Sequence, residues 1–228
     1  MSKVLVVAAH ADDEILGCGG TMARHADHGD SVAVMFLADG VGSRSEELSA
    51  EATVEAKERS AASARALDIV GASLLAQLQL PDNAIDSVPR LEVTRQVEGI
   101  ISDYRPDLIY THHGGDLNID HRRALESVLT ACRPQGGPGP RAIYSFEVAS
   151  STAWQGQSLS PLFCPNHYVN ISDQLDRKLQ AMEAYAEEMR PFPHARSIEA
   201  LEHQSKWRGS QVGFQAAEAF VLERSLVL

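Results

Sequence analysis

Short, uninterrupted apolar runs alternate with helix-length patterns through most of this 228-residue chain, and no other feature restricts its fold so strongly. Residues 4–9 (VLVVAA) are apolar at every position and too few for a helix, the mark of a strand buried on both faces. Residues 31–38, 74–80, 108–112 and 143–148 read as further strands, the 74–80 segment closed by Pro81. Between them, residues 21–28, 45–69, 91–104 and 120–131 read as helices. A turn at Gly17, Gly19 and Gly20 leads into the first, and Pro106 and Pro134 lie beyond the last two. Such alternation predicts an α/β fold, a parallel, doubly wound sheet flanked by helices. The tail predicts a strand at 167–171 and helices at 175–189 and 198–206. Residues 133–141 (RPQGGPGPR) read as a loop, because an apolar pattern resumes after them, so 1–228 is expected to form one domain.

The 20 Lys and Arg stand against 31 Asp and Glu, a net charge of −11. That balance argues against nucleic acid as a partner, since neutralising phosphates needs clustered cations. No apolar stretch approaches the roughly 20 residues of a membrane span, and the charged Asp12, Asp13 and Glu14 follow too soon for a signal peptide. Cys18, Cys132 and Cys164 are odd in number and widely spaced, which predicts a reducing, cytoplasmic setting and no Cys-based zinc knuckle. A homo-oligomer is compatible with everything in the sequence.

The first strand does not run into the G-x-G-x-x-G turn of a dinucleotide site. It runs into His10-Ala11-Asp12-Asp13-Glu14. The fourth runs into His112-His113-Gly114-Gly115-Asp116-Leu117-Asn118-Ile119-Asp120-His121. In a sheet of order 3-2-1-4-5 those strands are neighbours at the switch point, where ligands of open α/β sheets bind. His10, Asp13 and His121 can then offer two imidazoles and a carboxylate to a divalent metal with positions left for water, and Asp12 stands beside them as a base. The bland alternative is that the acids cap a helix and the histidines are structural.

His10–Glu14 resembles the AHPDDE signature of the LmbE/PIG-L family of metal-dependent de-N-acetylases, and Asp116–His121 resembles that family's second motif, which ends in Asp-His. The tail Arg208-Gly209…Gly213…Ala217-Glu218-Ala219-Phe220 is similar to its C-terminal pattern. The resemblance implies a Rossmann-like, mostly parallel sheet and a Zn²⁺ hydrolase that removes an N-acyl group, usually acetyl, from an amino-sugar substrate. By position, His10, Asp13 and His121 match the metal ligands, Asp12 the general base and Glu14 a supporting acid. Two positions depart. Ala11 replaces the usual Pro, and Asn118 stands where many members carry a His that steadies the intermediate or protonates the leaving amine. Asn can donate to an oxyanion but cannot be a general acid, which moves that role to His113, to His194 in the tail, or to Asp12 shuttling the proton alone.

Arg44, after the second strand, and Glu147, on the fifth, are candidates for substrate binding, with a solvated helix start and an ion pair as their structural alternatives. Trp154 and Trp207 can stack on a sugar or simply pack. The combined expectation is a cytoplasmic, zinc-dependent N-deacetylase of an amino-sugar-containing small molecule or glycan precursor. The rivals are a nucleotide-binding α/β enzyme and a non-catalytic sugar-binding protein on the same fold.

Overall fold

Seven strands form one sheet of order β3-β2-β1-β4-β5-β7-β6. They are β1 (Lys3–Ala8), β2 (Ser31–Ala38), β3 (Ser73–Leu80), β4 (Leu108–His112), β5 (Ala142–Phe146), β6 (His167–Asn170) and β7 (Ala217–Ser225). The structure, a computed structural model, describes residues 1–38, 50–137, 139–156, 158 and 160–227, of 50–56 the backbone alone. Strands β1 to β5 are mutually parallel, and β7 runs antiparallel to both β5 and β6. Among the described residues six α-helices flank the sheet: α1 (Asp13–Asp27), α2 (Ala50–Val70), α3 (Arg90–Tyr104), α4 (Ile119–Ala131), α5 (Leu175–Glu183) and α6 (Ile198–Ser210).

The sheet is buried on both faces for a reason visible in its side chains. In β1, Val4, Val6 and Ala8 pack with α1, α2 and α5 residues such as Met22, Leu67 and Met182, while Leu5 and Val7 pack with Val93, Val97 and Val128 of α3 and α4. Successive strand residues point to opposite faces, so a strand with a core on each side must be apolar throughout.

Three elements differ from their sequence-level expectation. Strand β7 was not anticipated, because its half-buried run AEAFVLERS carries Glu218, Glu223 and Arg224 and does not read as a buried strand. It inserts between β5 and β6. The glycines expected to form a turn lie within α1, which begins at Asp13 and is interrupted by a non-helical Cys18 (φ −148°). They are needed for close approach: a Cβ on Gly17 would lie 2.2 Å from the Phe146 ring and one on Gly20 2.8 Å from Ile171. The helix expected over 175–189 ends at Glu183, and a 3₁₀ turn at Ala186–Glu188 follows. The break turns the Tyr185 hydroxyl onto the Glu14 carboxylate at 2.7 Å.

The interruption at Cys18 exposes backbone groups that a continuous helix would satisfy. A buried ion pair takes them over. Glu218 accepts the N–H groups of Gly20 (3.0 Å) and Thr21 (2.7 Å), and Lys178 Nζ donates to Leu16 O (3.0 Å) and to Glu218 (2.6 Å). The Asp13 end of α1 is thereby clipped to α5 and β7.

Candidate active site

The carboxyl ends of β1, β3 and β4 and the first turns of α1 and α4 meet in one cluster. One donor atom each from His10, Asp13 and His121 lies within 4.8 Å of the others. Asp13 Oδ2 stands 3.2 Å from both His10 Nδ1 and His121 Nε2. Each imidazole is oriented by acids on its far side. His121 Nδ1 faces Asp116 Oδ1 at 3.1 Å, and Asp116 Oδ2 in turn accepts from Ser151 (3.0 Å) and Thr152 (2.5 Å). His10 Nε2 faces Asp120 Oδ2 and Asp82 Oδ1, both at 3.0 Å. A ring N–H turned onto an outer carboxylate fixes the ring and leaves the other nitrogen's lone pair for a metal.

Two observations test whether these residues fit a cation. Asp13 Oδ1 and His121 Nε2 are buried with no hydrogen-bond partner, and buried polar atoms are rarely left unpaired. The titration of the group points the same way. Burial by itself favours neutral imidazole, yet the charge of Asp13 and the Asp116 hydrogen bond lift His121 to about 9. His10 is likewise pulled well above its ordinary value, against burial, by Asp120, Asp13 and Asp82. Burial would raise Asp13, but His121, His112 and His10 hold it well below the usual carboxylate range. The cluster attracts positive charge, which a divalent ion on two imidazoles and one carboxylate would supply.

Asp12 sits beside the cluster in a strained backbone conformation, φ 119°. Arg196 Nη1 holds its Oδ2 at 2.7 Å, and its own N–H donates to Glu14 Oε2 at 3.0 Å. Burial drives its carboxyl up to about 7, with the Arg196 charge opposing. A carboxyl tuned near neutral suits a general base. Glu14, whose carboxylate accepts from the Asp12 N–H and the Tyr185 hydroxyl, is pushed by burial to about 8 while those two hydrogen bonds oppose the shift.

The other candidates separate. Asn118 is the N-cap of α4: its Oδ1 accepts the Asp120 N–H at 2.8 Å and its Nδ2 donates to Asn83 Oδ1 at 3.1 Å. It lines a cavity of about 440 Å³ with Asn83, Ser151, Trp154, His194 and Arg196. His194 Nδ1 accepts the Arg196 N–H at 3.0 Å. His113 is directed elsewhere, its ring against Ser145 (3.5 Å) and edge-on to Phe163. The side chain beside the cluster is instead that of His112, stacked on His121 with ring centroids 3.9 Å apart and accepting the Ala9 N–H. His112 is the last residue of β4 and turns its ring to the cluster, whereas His113, just past the strand's end, turns its ring away. Glu147 is a correction: its carboxylate is held by both Nε (2.7 Å) and Nη2 (2.8 Å) of Arg208, so the carboxylate answers the guanidinium fork and not a substrate. Arg44 lies outside the described residues. Of the two tryptophans, Trp154 lines the cavity, and Trp207 is exposed on α6.

Sequence reasoning gave no role to Asp82, Asp120 or Arg196. Asp82 and Asn83 follow Pro81 at the carboxyl end of β3, the same sheet edge, which was a usable signal. Asp120 also accepts the N–H groups of Asn83 (2.7 Å) and Ile85 (3.0 Å), tying that loop to α4. Nothing local marks Arg196, which reaches Asp12 across 184 positions.

Comparison with known proteins adds three findings. A family described as PIG-L, GlcNAc-PI de-N-acetylase, matches residues 5–132. The diacetylchitobiose deacetylase of Thermococcus kodakarensis is 26% identical over 194 residues, covering 81% of this chain and 69% of that protein. Two solved structures share the fold. The N,N'-diacetylchitobiose deacetylase of Pyrococcus horikoshii superposes with TM-score 0.76 at 23% identity, over 97% of this chain and 83% of that one. GalB, a 4-carboxy-2-hydroxymuconate hydratase from Pseudomonas putida, superposes with TM-score 0.79 at 20% identity, over 100% and 98%. The architecture therefore serves more than one chemistry, and function must be argued from the site.

Proposed function

The chain belongs to the PIG-L, GlcNAc-PI de-N-acetylase, family, and from that premise we propose that it is a zinc-dependent hydrolase removing an N-acetyl group from an amino-sugar-containing small molecule or glycan precursor. The observation that carries the reading is the meeting of His10, Asp13 and His121, with Asp13 Oδ1 and His121 Nε2 buried and outside any hydrogen bond, beside a carboxyl tuned to about 7. His10, Asp13 and His121 would hold the metal, whose chemistry there would be to polarise an amide carbonyl and acidify water. The remaining work falls to the chain. Asp12, its Oδ2 held by Arg196, has Oδ1 to take the proton of the attacking water. Asn118 has one amide N–H committed to Asn83 and a second to offer the substrate oxygen. His194 accepts a backbone N–H at Nδ1, so its neutral ring carries a proton on Nε2, and it lines the same cavity. We assign it a hydrogen bond from Nε2–H to the substrate, and we assign the proton for the leaving amine to Asp12, which has gained one from the attacking water. Among the described residues no helix is long and apolar enough to cross a membrane, and the three cysteines are unpaired, which supports one cytoplasmic catalytic domain acting on a diffusible substrate.

Metal analysis with an acetate-release assay tests the reading. The purified protein should hold zinc and free acetate from N-acetyl amino sugars. Asp12→Asn should keep the metal and lose about 10²–10⁴ in rate, whereas Asp13→Ala should lose both. Metal-loaded protein that frees acetate from no member of a broad amino-sugar panel would leave a sugar-binding protein or another chemistry on this fold.

A further inference from the structure

The amino edge of the sheet, where β4 and β5 begin, carries a cavity of about 650 Å³ that shares no residue with the candidate active site. Arg105, Asp107, Cys132, Arg133 and Gly139 are part of its lining, at the ends of α3 and α4 and in the loop that enters β5. His121 lies in the first turn of α4 and Cys132 just past its last, so 13 helical residues separate the two places, a span of about 20 Å. We infer that this cavity is a binding site for a small organic anion, a metabolite bearing a carboxylate or a phosphate, distinct from the substrate.

The inference starts from one guanidinium. Arg224 of β7 lies against two residues of the lining: its Nη1 donates to Cys132 O at 2.8 Å, and its Nη2 stands 3.6 Å from where a Cβ on Gly139 would be. Its Nε and Nη2 are buried with no hydrogen-bond partner. Those two N–H groups share one edge of the guanidinium, the edge that meets two oxygens of a carboxylate or phosphate at once. Buried polar atoms are rarely left unpaired, and an unmodelled ion is one cause when they are. Arg105 and Arg133, both exposed, bring two more guanidinium groups to the same lining. Among the described residues none of the three arginines forms an ion pair.

The structural alternative is that these arginines neutralise helix C-termini. Arg105 Nε does donate to Ser102 O of α3 (3.4 Å), as Arg224 does to Cys132 O after α4. That role takes one N–H from each and roughly half a charge per helix, and it leaves the Arg224 edge unpaired. Two acids also line the cavity, Glu98 and Asp107. Asp107 is already engaged, its Oδ2 accepting the Lys3 N–H at 2.8 Å and its Oδ1 facing Arg141 Nε at 4.0 Å. Three cations then stand against Glu98 and two helix ends, a positive site in a chain of net charge −11. The volume is that of a metabolite pocket.

Calorimetric titration of the purified protein with gluconate, with glucose 6-phosphate and with glucose tests this. One or both anions should bind and glucose should not, and the anion that binds tells a carboxylate from a phosphate ligand. Replacing both exposed arginines, Arg105→Gln with Arg133→Gln, should weaken binding by about tenfold or more. Arg224→Gln should weaken it too, and Arg224→Lys, which keeps the charge but not the two-pronged edge, should restore only part. Asp13→Ala, which removes a metal ligand of the candidate active site, should bind the anion as the wild type does. Binding of neither anion, equal binding of glucose, or an affinity unchanged in the doubly substituted protein overturns the inference. So does binding that is lost in Asp13→Ala, which would place the anion at the candidate active site.

Discussion

Replacing Lys178 by Met removes the cation of the buried pair that clips the Asp13 end of α1 to the rest of the protein. Both partners are almost fully enclosed, at 4% and 3% side-chain exposure. Two consequences add. Glu218 keeps its hydrogen bonds from Gly20 and Thr21 but loses the ammonium 2.6 Å away, leaving a carboxylate buried without a counter-charge. Leu16 O loses its Lys178 donor at the break in the helix. Removing one partner of a buried pair costs about 3–5 kcal/mol. For a domain of this size each kcal/mol lowers Tm by about 2–4 °C, so a fall on the order of 6–20 °C is expected. Chemical denaturation and calorimetry of the metal-free proteins measure it without the stabilisation that a bound ion adds. Adding Glu218→Gln to Lys178→Met removes the stranded charge and should recover part of the loss, a non-additivity read from the double-mutant cycle. A loss below about 1 kcal/mol for Lys178→Met, or strict additivity in the cycle, would mean that the pair is not what secures the interrupted helix.

Arg196→Met should move the acid limb of kcat/KM toward alkaline pH. Burial lifts Asp12 to about 7 while the guanidinium opposes it, so removing the guanidinium lifts the base further and depletes its active, ionised form at neutral pH; an unmoved limb would assign the base elsewhere. Gly17→Ala should destabilise the fold by about 1–3 kcal/mol or more, since its Cβ would enter the fully buried Phe146 ring. Phe146→Leu in the same chain should return part of that stability, and a Gly17→Ala protein that melts like wild type would show that α1 can step away from β5.

Much of this protein is written locally. Runs apolar at nearly every position bury both faces of a strand inside a doubly covered sheet, so β1, β2, β4 and β5 followed from hydrophobic pattern, while the largely exposed edge strand β3 followed from the strand–helix alternation. The order of such a sheet set the ends of β1 and β4 side by side, so His10, Asp13 and His121 were legible as a group before any coordinates. The remainder depends on contacts that pattern does not encode. Strand β7 is half-buried and charged because its Glu218 satisfies a helix break some 200 positions away, so its sequence reads as surface. The glycines of α1 look like a turn because close approach to Phe146 and Ile171, the property that requires them, is tertiary. His112 and His113 are equivalent in the sequence, and only the strand's orientation in the sheet decides which ring meets His121. Arg196 sets the electrostatics of Asp12 through a contact between the tail and the first strand's end, and Glu147 loses its substrate role to a guanidinium on α6. Composition and period record what each residue must hide from water. Pairing of charges and tight backbone approach are settled by which surfaces the finished chain brings together.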